Sequence, residues 1–155
     1  MQSELRVPPD RLLEMPRRLR AAQPLFDRTG GLHAAGLFDA AANLLRVAED
    51  VGRPNGVGKV VGAHLLAGLL PDSRAVLQAS GRVSFEIVQK AGAAEIPVVS
   101  AVSAPSSLAI SAADRLGITL VAFVRGDRLS VYSHSEWIVE PAPAPPGTGR
   151  IPSGI

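Results

Sequence analysis

The sequence predicts a single α/β domain, a three-layer α/β/α sandwich built on a mixed sheet. Between residues 57 and 118, short β-branched runs alternate with longer helical segments, which is the repeat of a parallel sheet with crossover helices. Paired apolar runs at 32–49 and 118–134 each contain a short turn and predict β-hairpins that add antiparallel strands. The expected order is helix, hairpin, helix, strand, helix, strand, helix, hairpin.

Composition limits the class of protein. With 155 residues, of which 46% are hydrophobic and 19% charged, the chain suits one folded domain with a sizeable core. A net charge of +2 and an aromatic share of 4% give no support for a nucleic-acid partner. No apolar run is long enough to span a membrane and the amino end has no signal-peptide core, so a cytoplasmic location without a membrane partner is expected.

The absence of cysteine removes several kinds of chemistry from this chain. There are 0 cysteines, which excludes disulfides, thiolate metal sites and a thiol nucleophile on this polypeptide. The three histidines, His33, His64 and His134, are well separated in sequence, so no metal site is expected.

Two helical segments are expected before the first hairpin. Asp10 is predicted to cap a short helical segment, and Pro16 to begin a helix that runs to about Phe26 and ends at Gly30-Gly31. The hairpin strands are 32–40 and 43–49. The basic cluster of this helix, Arg17, Arg18 and Arg20, is either a solvated face or a docking surface for an acidic partner.

A polar turn at 49–56 precedes the next helix, expected from about Val57 to Leu70. In one interpretation Asn55 caps the helix and Asp50 pairs with Arg53. In the other, the turn forms one wall of a ligand crevice. The residues alone leave both open.

The second half continues the alternation. Strands are expected at 75–79 and 97–102, helices after Arg82 and from Ser106 to Leu116, and a hairpin with strands 118–125 and 128–134. Glu86 and Lys90 are predicted to form a surface pair. The domain is expected to end near residue 140, because the Pro- and Gly-rich segment 141–155 has little to bury and predicts a flexible tail.

Two turns occur where a strand's carboxyl end meets a helix's amino end, and such turns of an open α/β sheet face one crevice. Free backbone N–H groups and serine hydroxyls at helix starts favour an anion such as phosphate, although the serines can also be simple helix caps. The glycines fit neither a Rossmann nor a P-loop pattern. The candidate residues at these turns are Ser80, Gly81, Arg82, Ser84, Ser103, Ser106 and Ser107.

The turn of the last hairpin carries a second set of candidates. A ring can stack a purine, a carboxylate can accept from a guanine edge and arginines can hold phosphates; the alternative is an exposed hairpin with an Asp127–Arg128 pair. The residues are Phe123, Val124, Arg125, Gly126, Asp127 and Arg128.

Several blocks, in order from about Arg11 to His134, resemble the FdhD family of formate dehydrogenase accessory sulfurtransferases. They are GGLHAAGLFD at 30–39, EDVGRPNGVGKVVG at 49–62, SGRVSFEIVQKA at 80–91, IPVVSAVSAPSSLAI at 96–110 and TLVAFVRGDRLSVYSH at 119–134.

The resemblance implies a fold, an activity and partners. The family's second domain has a cytidine-deaminase-like fold. Its members accept sulfur from a cysteine desulfurase as a persulfide and deliver it to the bis-molybdopterin guanine dinucleotide cofactor of formate dehydrogenase. By motif, 123–128 correspond to the family's cofactor-binding stretch. GDP is then a possible mimic of the cofactor. Independently of the resemblance, the hydrophobic hairpins could pair across a two-fold axis and form a homodimer. The alternative is a non-catalytic module that docks on the desulfurase or on the formate dehydrogenase apoprotein.

The chain departs from the family pattern in two places. It resembles the family's carboxyl-terminal half and lacks the CGxCG-type loop that carries the sulfur, so whether the chain is itself an enzyme stays open. VGRPNGVGK also stands where the family usually has VGRHNAVDK, so Pro54 replaces a histidine and Gly58 an acid. A deaminase-like hydrolase is disfavoured, because the corresponding helix starts carry Pro54-Asn55 and 80–82 instead of zinc ligands.

Overall fold

A computed structural model describes residues 5–23, 33–69, 72–135 and 138. Within these residues, four helices accompany one six-stranded sheet of order β2-β1-β3-β4-β5-β6. The elements are α1 (Pro9–Ala21), β1 (His33–Phe38), β2 (Leu44–Asp50), α2 (Arg53–Leu66), β3 (Val76–Ala79), α3 (Phe85–Ala93), β4 (Val98–Ala101), α4 (Ser107–Leu116), β5 (Thr119–Arg125) and β6 (Arg128–Ser133). The predicted α/β class, mixed sheet and element order are confirmed.

The sheet combines a parallel centre with antiparallel margins. β3 pairs in parallel with β4, and β4 with β5, whereas β1, β2 and β6 join by antiparallel pairing. Because α3 and α4 return the chain between the parallel strands, β3, β4 and β5 all end at one edge of the sheet. That edge is called the rim below.

Helices cover both faces of the sheet and make three layers. On one face α1 buries Leu12, Met15 and Leu19 in a cluster with strand residues such as Phe38 and Val98. On the other face α2, α3 and α4 share a second cluster, which contains Val60, Ile87 and Ala109 together with Leu77, Val99 and Leu120 of the strands. In the part of the chain that the structure describes, no helix is long and apolar enough to cross a bilayer.

The first helix differs from its prediction. One continuous helix runs from Pro9 to Ala21 and contains Pro16, instead of starting there. An interior proline costs about 3 kcal/mol, because it removes a backbone N–H donor and its ring crowds the preceding turn. Leu12, Met15 and Leu19 are at most 1% exposed, and each contributes about 1.5–3 kcal/mol by burial, so packing on the sheet outweighs the proline. Phe26 and Gly30-Gly31 lie outside the described residues.

The second helix also begins and ends earlier than predicted. Gly52 rather than Asn55 is its N-cap residue, and Asp50 Oδ1 accepts a hydrogen bond from the Gly52 N–H at 2.9 Å. Asp50 forms an ion pair with Lys59, 2.7 Å away; the Arg53 side chain of the predicted pair is outside the described part. The helix stops at Leu66 because Gly68 adopts a φ of +71°.

The remaining elements agree with the sequence to within a few residues. Ser84 and Ser106 cap α3 and α4, Gly117 ends α4 with a φ of 74°, and Gly126-Asp127 forms the turn of the last hairpin. The predicted tail at 141–155 is outside the described residues.

Replacement of Pro16 by alanine is expected to stabilise the protein by about 1–3 kcal/mol, because the helix regains a hydrogen bond to the Leu12 carbonyl. Urea unfolding of Pro16→Ala measures this gain. Pro54→Ala is the matched control, since Pro54 lies in the first turn of α2, where a missing N–H costs little. Equal stabilities of Pro16→Ala and the unchanged chain would contradict the expectation.

Candidate functional site

The two predicted strand-to-helix turns lie side by side at the rim. Val83 and Pro105 form an isolated parallel bridge beyond the ends of β3 and β4. The Val83 N–H donates to the Ala104 carbonyl at 3.1 Å, and the Ser106 N–H donates to the Val83 carbonyl at 3.0 Å. The two loops are therefore held together by backbone hydrogen bonds rather than by side chains that can swing away.

The end of β5 joins the same arrangement. The Phe123 N–H donates to the Ser103 carbonyl at 3.2 Å, and Arg125 Nε donates to the Val102 carbonyl at 3.1 Å. All three predicted segments, 80–84, 103–107 and 123–128, are thus connected along one edge of the sheet.

Phe123 has an unusual backbone. Its φ is +52°, in the left-handed region, and the pairing of β5 with β6 shifts register between Ala122 and Arg125. The Arg125 guanidinium carbon lies 5.6 Å from the centre of the Phe123 ring. This bulge places an aromatic ring and a cation together at the rim.

A cavity of about 380 Å³ opens between the starts of α3 and α4. Ser84 Oγ accepts from the Ile87 N–H at 3.4 Å and Ser106 Oγ from the Ala109 N–H at 3.1 Å, so both serines are helix caps. Each hydroxyl keeps its own hydrogen, so a capping serine can still donate to a ligand. The cavity is lined by Arg82, Val83, Ser84, Ala104, Pro105 and Ser106.

The first turns of α3 and α4 offer backbone donors beside this cavity. The N–H groups of Phe85, Glu86, Ser107 and Leu108 lie in these first turns, where an α-helix has no carbonyl of its own for them to bond. Two helix dipoles direct partial positive charge to the same place, and Arg82 is exposed there. The arrangement favours an anion with several oxygen atoms.

Ser80 lies at the predicted turn, directly after β3, and it also bonds to β1. Its Oγ accepts from the Ala34 N–H at 2.8 Å, and its N–H donates to the Ala34 carbonyl at 3.0 Å. Ser80 therefore extends the pairing of β1 with β3 and is not among the residues that line the cavity. Gly81, half-buried, connects it to Arg82.

The polar turn before α2 lies at the rim as well. Asp50, at the end of β2, lies opposite His33 at the beginning of β1 in the antiparallel pairing of these strands. The Gly52 N–H and then the Lys59 ammonium group hold the pKa of Asp50 below its ordinary value. Behind this turn, Lys90 Nζ of α3 donates to the Pro54 carbonyl at 2.9 Å and also lies 3.4 Å from Glu86 Oε1, the predicted surface pair.

Lys90 is the side chain that a residue larger than glycine at position 58 would contact. A Cβ atom built on Gly58 would lie 3.3 Å from Lys90 Nζ, so an acidic side chain at this position would have a cation within reach. In this chain the Pro54 carbonyl is an acceptor for that cation.

Other predicted residues lie apart from the cavity. Gly126, Asp127 and Arg128 form the exposed hairpin turn that extends beyond the rim. Arg17, Arg18 and Arg20 are exposed on α1, and Arg18 bonds both the Ala42 carbonyl and Glu14. Among the described residues, no three or more His, Cys, Asp or Glu side chains form a group that could hold a metal ion.

The sequence did not single out Lys59, Phe85 or Leu108. Phe85 and Leu108 are 40% and 69% exposed, next to the caps that line the cavity. The sequence could have indicated Phe85 and Leu108, because each is a large apolar residue within two positions of a helix cap.

Comparison with known proteins gives a consistent result. The sequence profile of the FdhD/NarQ family matches residues 1–139. The sulfur carrier protein FdhD of Streptomyces avermitilis is 54% identical over 143 residues, covering 92% of this chain and 51% of that protein. Its namesake in Thermoplasma acidophilum is 52% identical over 137 residues, covering 88% and 48%. The chain spans about half the length of the curated relatives it matches.

A solved structure has the same fold. The crystal structure described as a formate dehydrogenase accessory protein from Desulfotalea psychrophila matches with a TM-score of 0.81 at 32% identity. The match covers 88% of this chain and 58% of that one.

Asp50 is expected to make stability depend on pH. Because its folded pKa is lowered, the ionised carboxylate stabilises the fold above the ordinary value of 3.8, and this contribution disappears as the pH falls through the folded pKa. Asp50→Asn should therefore lower Tm at pH 7, and the difference should shrink below about pH 4. Asp127→Asn, on the exposed hairpin turn, controls for loss of a surface carboxylate. A difference in Tm that is constant from pH 7 to pH 3 would contradict the assignment.

Gly58→Asp is expected to stabilise α2 by about 0.5–1 kcal/mol, because it removes a helix glycine and adds a partner for Lys90. Gly62→Asp also removes a helix glycine, but an added Cβ at this position meets nothing within 4 Å, so it adds no partner for Lys90. Chemical unfolding should rank Gly58→Asp above Gly62→Asp, and Lys90→Met should abolish the difference. The reverse ranking would show that Lys90 does not reach position 58.

Proposed function

The chain belongs to the FdhD/NarQ family, and from that premise we propose that its rim binds the nucleotide part of bis-molybdopterin guanine dinucleotide. Family membership makes it a relative of sulfur carrier proteins that serve formate dehydrogenase. The proposal adds the ligand and the residues that hold it.

One observation carries the proposal: the three turn segments are joined by backbone hydrogen bonds at a single rim. Val83 with Pro105, and Ser103 with Phe123, are the contacts that join them. A nucleotide needs an anion site and a ring site a short distance apart, and these loops supply both on a rigid support.

The residues present suit the nucleotide end of the cofactor. Arg82 and the first turns of α3 and α4 bind the diphosphate through charge-assisted and backbone hydrogen bonds. Phe123 stacks the guanine, Asp127 accepts hydrogen bonds from its edge, and Arg125 and Arg128 supply positive charge. When bound, the cofactor supplies the molybdenum centre that receives sulfur.

Sulfur transfer itself needs a group that this chain does not have. The sequence contains 0 cysteines, so a persulfide has to come from a cysteine on another segment or another molecule. In this proposal the chain holds the cofactor while a cysteine desulfurase provides sulfur, and formate dehydrogenase receives the product. A cytoplasmic location and a homodimer remain predictions from the sequence, and a cytidine-deaminase-like fold remains a prediction of the family resemblance.

Titration calorimetry with GDP tests the binding site. We expect saturable binding to the full chain, and we expect Arg82→Glu to weaken it by about tenfold or more, because a charge-assisted hydrogen bond becomes a repulsion. Arg115→Glu makes the same change of charge on an exposed arginine at the far end of α4 and should leave the affinity within about twofold.

Two results would contradict this site. One is the absence of saturable binding at millimolar GDP while circular dichroism shows an intact fold. The other is an equal loss of affinity in Arg82→Glu and Arg115→Glu, which would indicate a general effect of net charge.

A further inference from the structure

A second cavity, of about 550 Å³, lies at the edge of the sheet opposite the rim, and it is called the basic cavity below. Its place follows from the pairing of β1 with β3, because Phe38 at the end of β1 lies opposite Val76 at the start of β3. The proposed nucleotide site has no residue in this cavity. The lining consists of Leu5, Arg6, Asp39, Ala40, Ala41 and Arg74.

Two arginines stand at the basic cavity on supported backbone. Arg6 lies in an extended segment between Leu5 and Val7, which are 4% and 0% exposed, so the alternation of side chains turns Arg6 outward. Arg74 is also exposed, and its backbone N–H donates to Asp72 Oδ1 at 3.1 Å. Both guanidinium groups therefore belong to one hollow whose backbone is held in place.

Asp39 is the carboxylate of the lining, and the turn between β1 and β2 uses both of its oxygens. Asp39 Oδ1 accepts hydrogen bonds from the N–H groups of Ala41 and Asn43 at 3.0 and 2.9 Å. Asp39 Oδ2 accepts from the side-chain amide of Asn43 at 3.0 Å. The lining thus carries two guanidinium groups against one carboxylate that is already committed to the turn, which leaves an excess of positive charge.

The positive surface continues onto α1. Arg18 Nη1 donates to the Ala42 carbonyl at 2.9 Å, which joins α1 to the turn beside the basic cavity. Glu14 pairs with Arg18 at 3.1 Å, and Arg17 and Arg20 are exposed on the same helix. A series of cations that extends beyond one cavity favours a chain with several carboxylates over a single small anion.

We propose that the basic cavity binds the carboxylate side chains of an acidic protein segment, with Arg6 and Arg74 as their partners. A guanidinium has five N–H donors, so an arginine that already bonds within the protein keeps donors for a ligand, and it binds a carboxylate in bidentate fashion. Because the basic cavity and the rim lie at opposite edges of the sheet, an acidic partner docks here without covering the rim. The inference does not depend on the nucleotide site.

Fluorescence anisotropy with a labelled hexaglutamate peptide tests this surface on the full chain at low ionic strength. We expect saturable binding that Arg6→Gln and Arg74→Gln each weaken by about fivefold or more, because each removes a charge-assisted hydrogen bond. Arg115→Gln removes an exposed arginine near the end of α4, on the other face of the sheet, and should leave the affinity within about twofold. Saturating GDP should not change the affinity for the peptide.

Glutarate distinguishes a protein segment from a free small anion, since it carries two carboxylates on one small molecule. It should bind far more weakly than hexaglutamate, and an equal affinity would overturn the assignment to a protein segment.

Three further results would overturn the proposal. They are the absence of saturable peptide binding while circular dichroism shows an intact fold, an equal loss of affinity in the Arg6, Arg74 and Arg115 variants, and displacement of the peptide by GDP. Failure of GDP to bind, with peptide binding intact, would overturn the nucleotide site alone.

Discussion

A parallel ladder of three short strands fixes where the helix starts and loops of the rim lie. Leu77 pairs with Val99, and Val99 with Leu120, so β3, β4 and β5 run in one direction and end together. Parallel strands require a crossover connection, and here each crossover is a helix that starts at the rim. The ladder thereby brings the starts of α3 and α4 together, and the Val83–Pro105 bridge extends the pairing beyond the strands. Part of the lining of the cavity at the rim, Val83 and Pro105, is therefore backbone held by hydrogen bonds.

The two faces of the sheet differ in the helices that cover them and in their distance from the cavity at the rim. The face under α2, α3 and α4 holds the larger core, and these are the helices whose first turns lie at the rim. The face under α1 is closed by a helix that keeps a proline in its interior because Leu12, Met15 and Leu19 are buried. The destabilising proline therefore lies in the helix layer opposite the cavity at the rim, whereas both helices that begin at that cavity have serine caps.

The helix α2 contains positions 54 and 58, where the sequence differs from the motif of the family it resembles. The Pro54 ring has no hydrogen to donate, but the Pro54 carbonyl accepts a hydrogen bond from Lys90. Gly58 leaves space beside the same ammonium group. Lys90 of α3 therefore contacts α2 through a backbone carbonyl, Lys90 also pairs with Glu86, and Lys59 of α2 pairs with Asp50.

Local patterns in the sequence determined the order of the elements, the caps at Ser84 and Ser106, and the glycine that ends α4. These features depend on residues within a few positions of one another, which is the range that periodicity and capping reflect. Alignment of the three turn segments at one rim also followed from the sequence, because parallel strands with helical crossovers leave only that arrangement.

Only the tertiary structure decided the features that depend on distant residues. Ser80 bonds Ala34, 46 positions away, so its role in the sheet has no local signal. Pro16 stays within a helix because of contacts with the sheet, and Phe123 adopts a positive φ because β5 bulges where it meets β6 and the Ser103 carbonyl. In each case long-range packing or pairing outweighs a local preference of a few kcal/mol, which no short window of sequence can express.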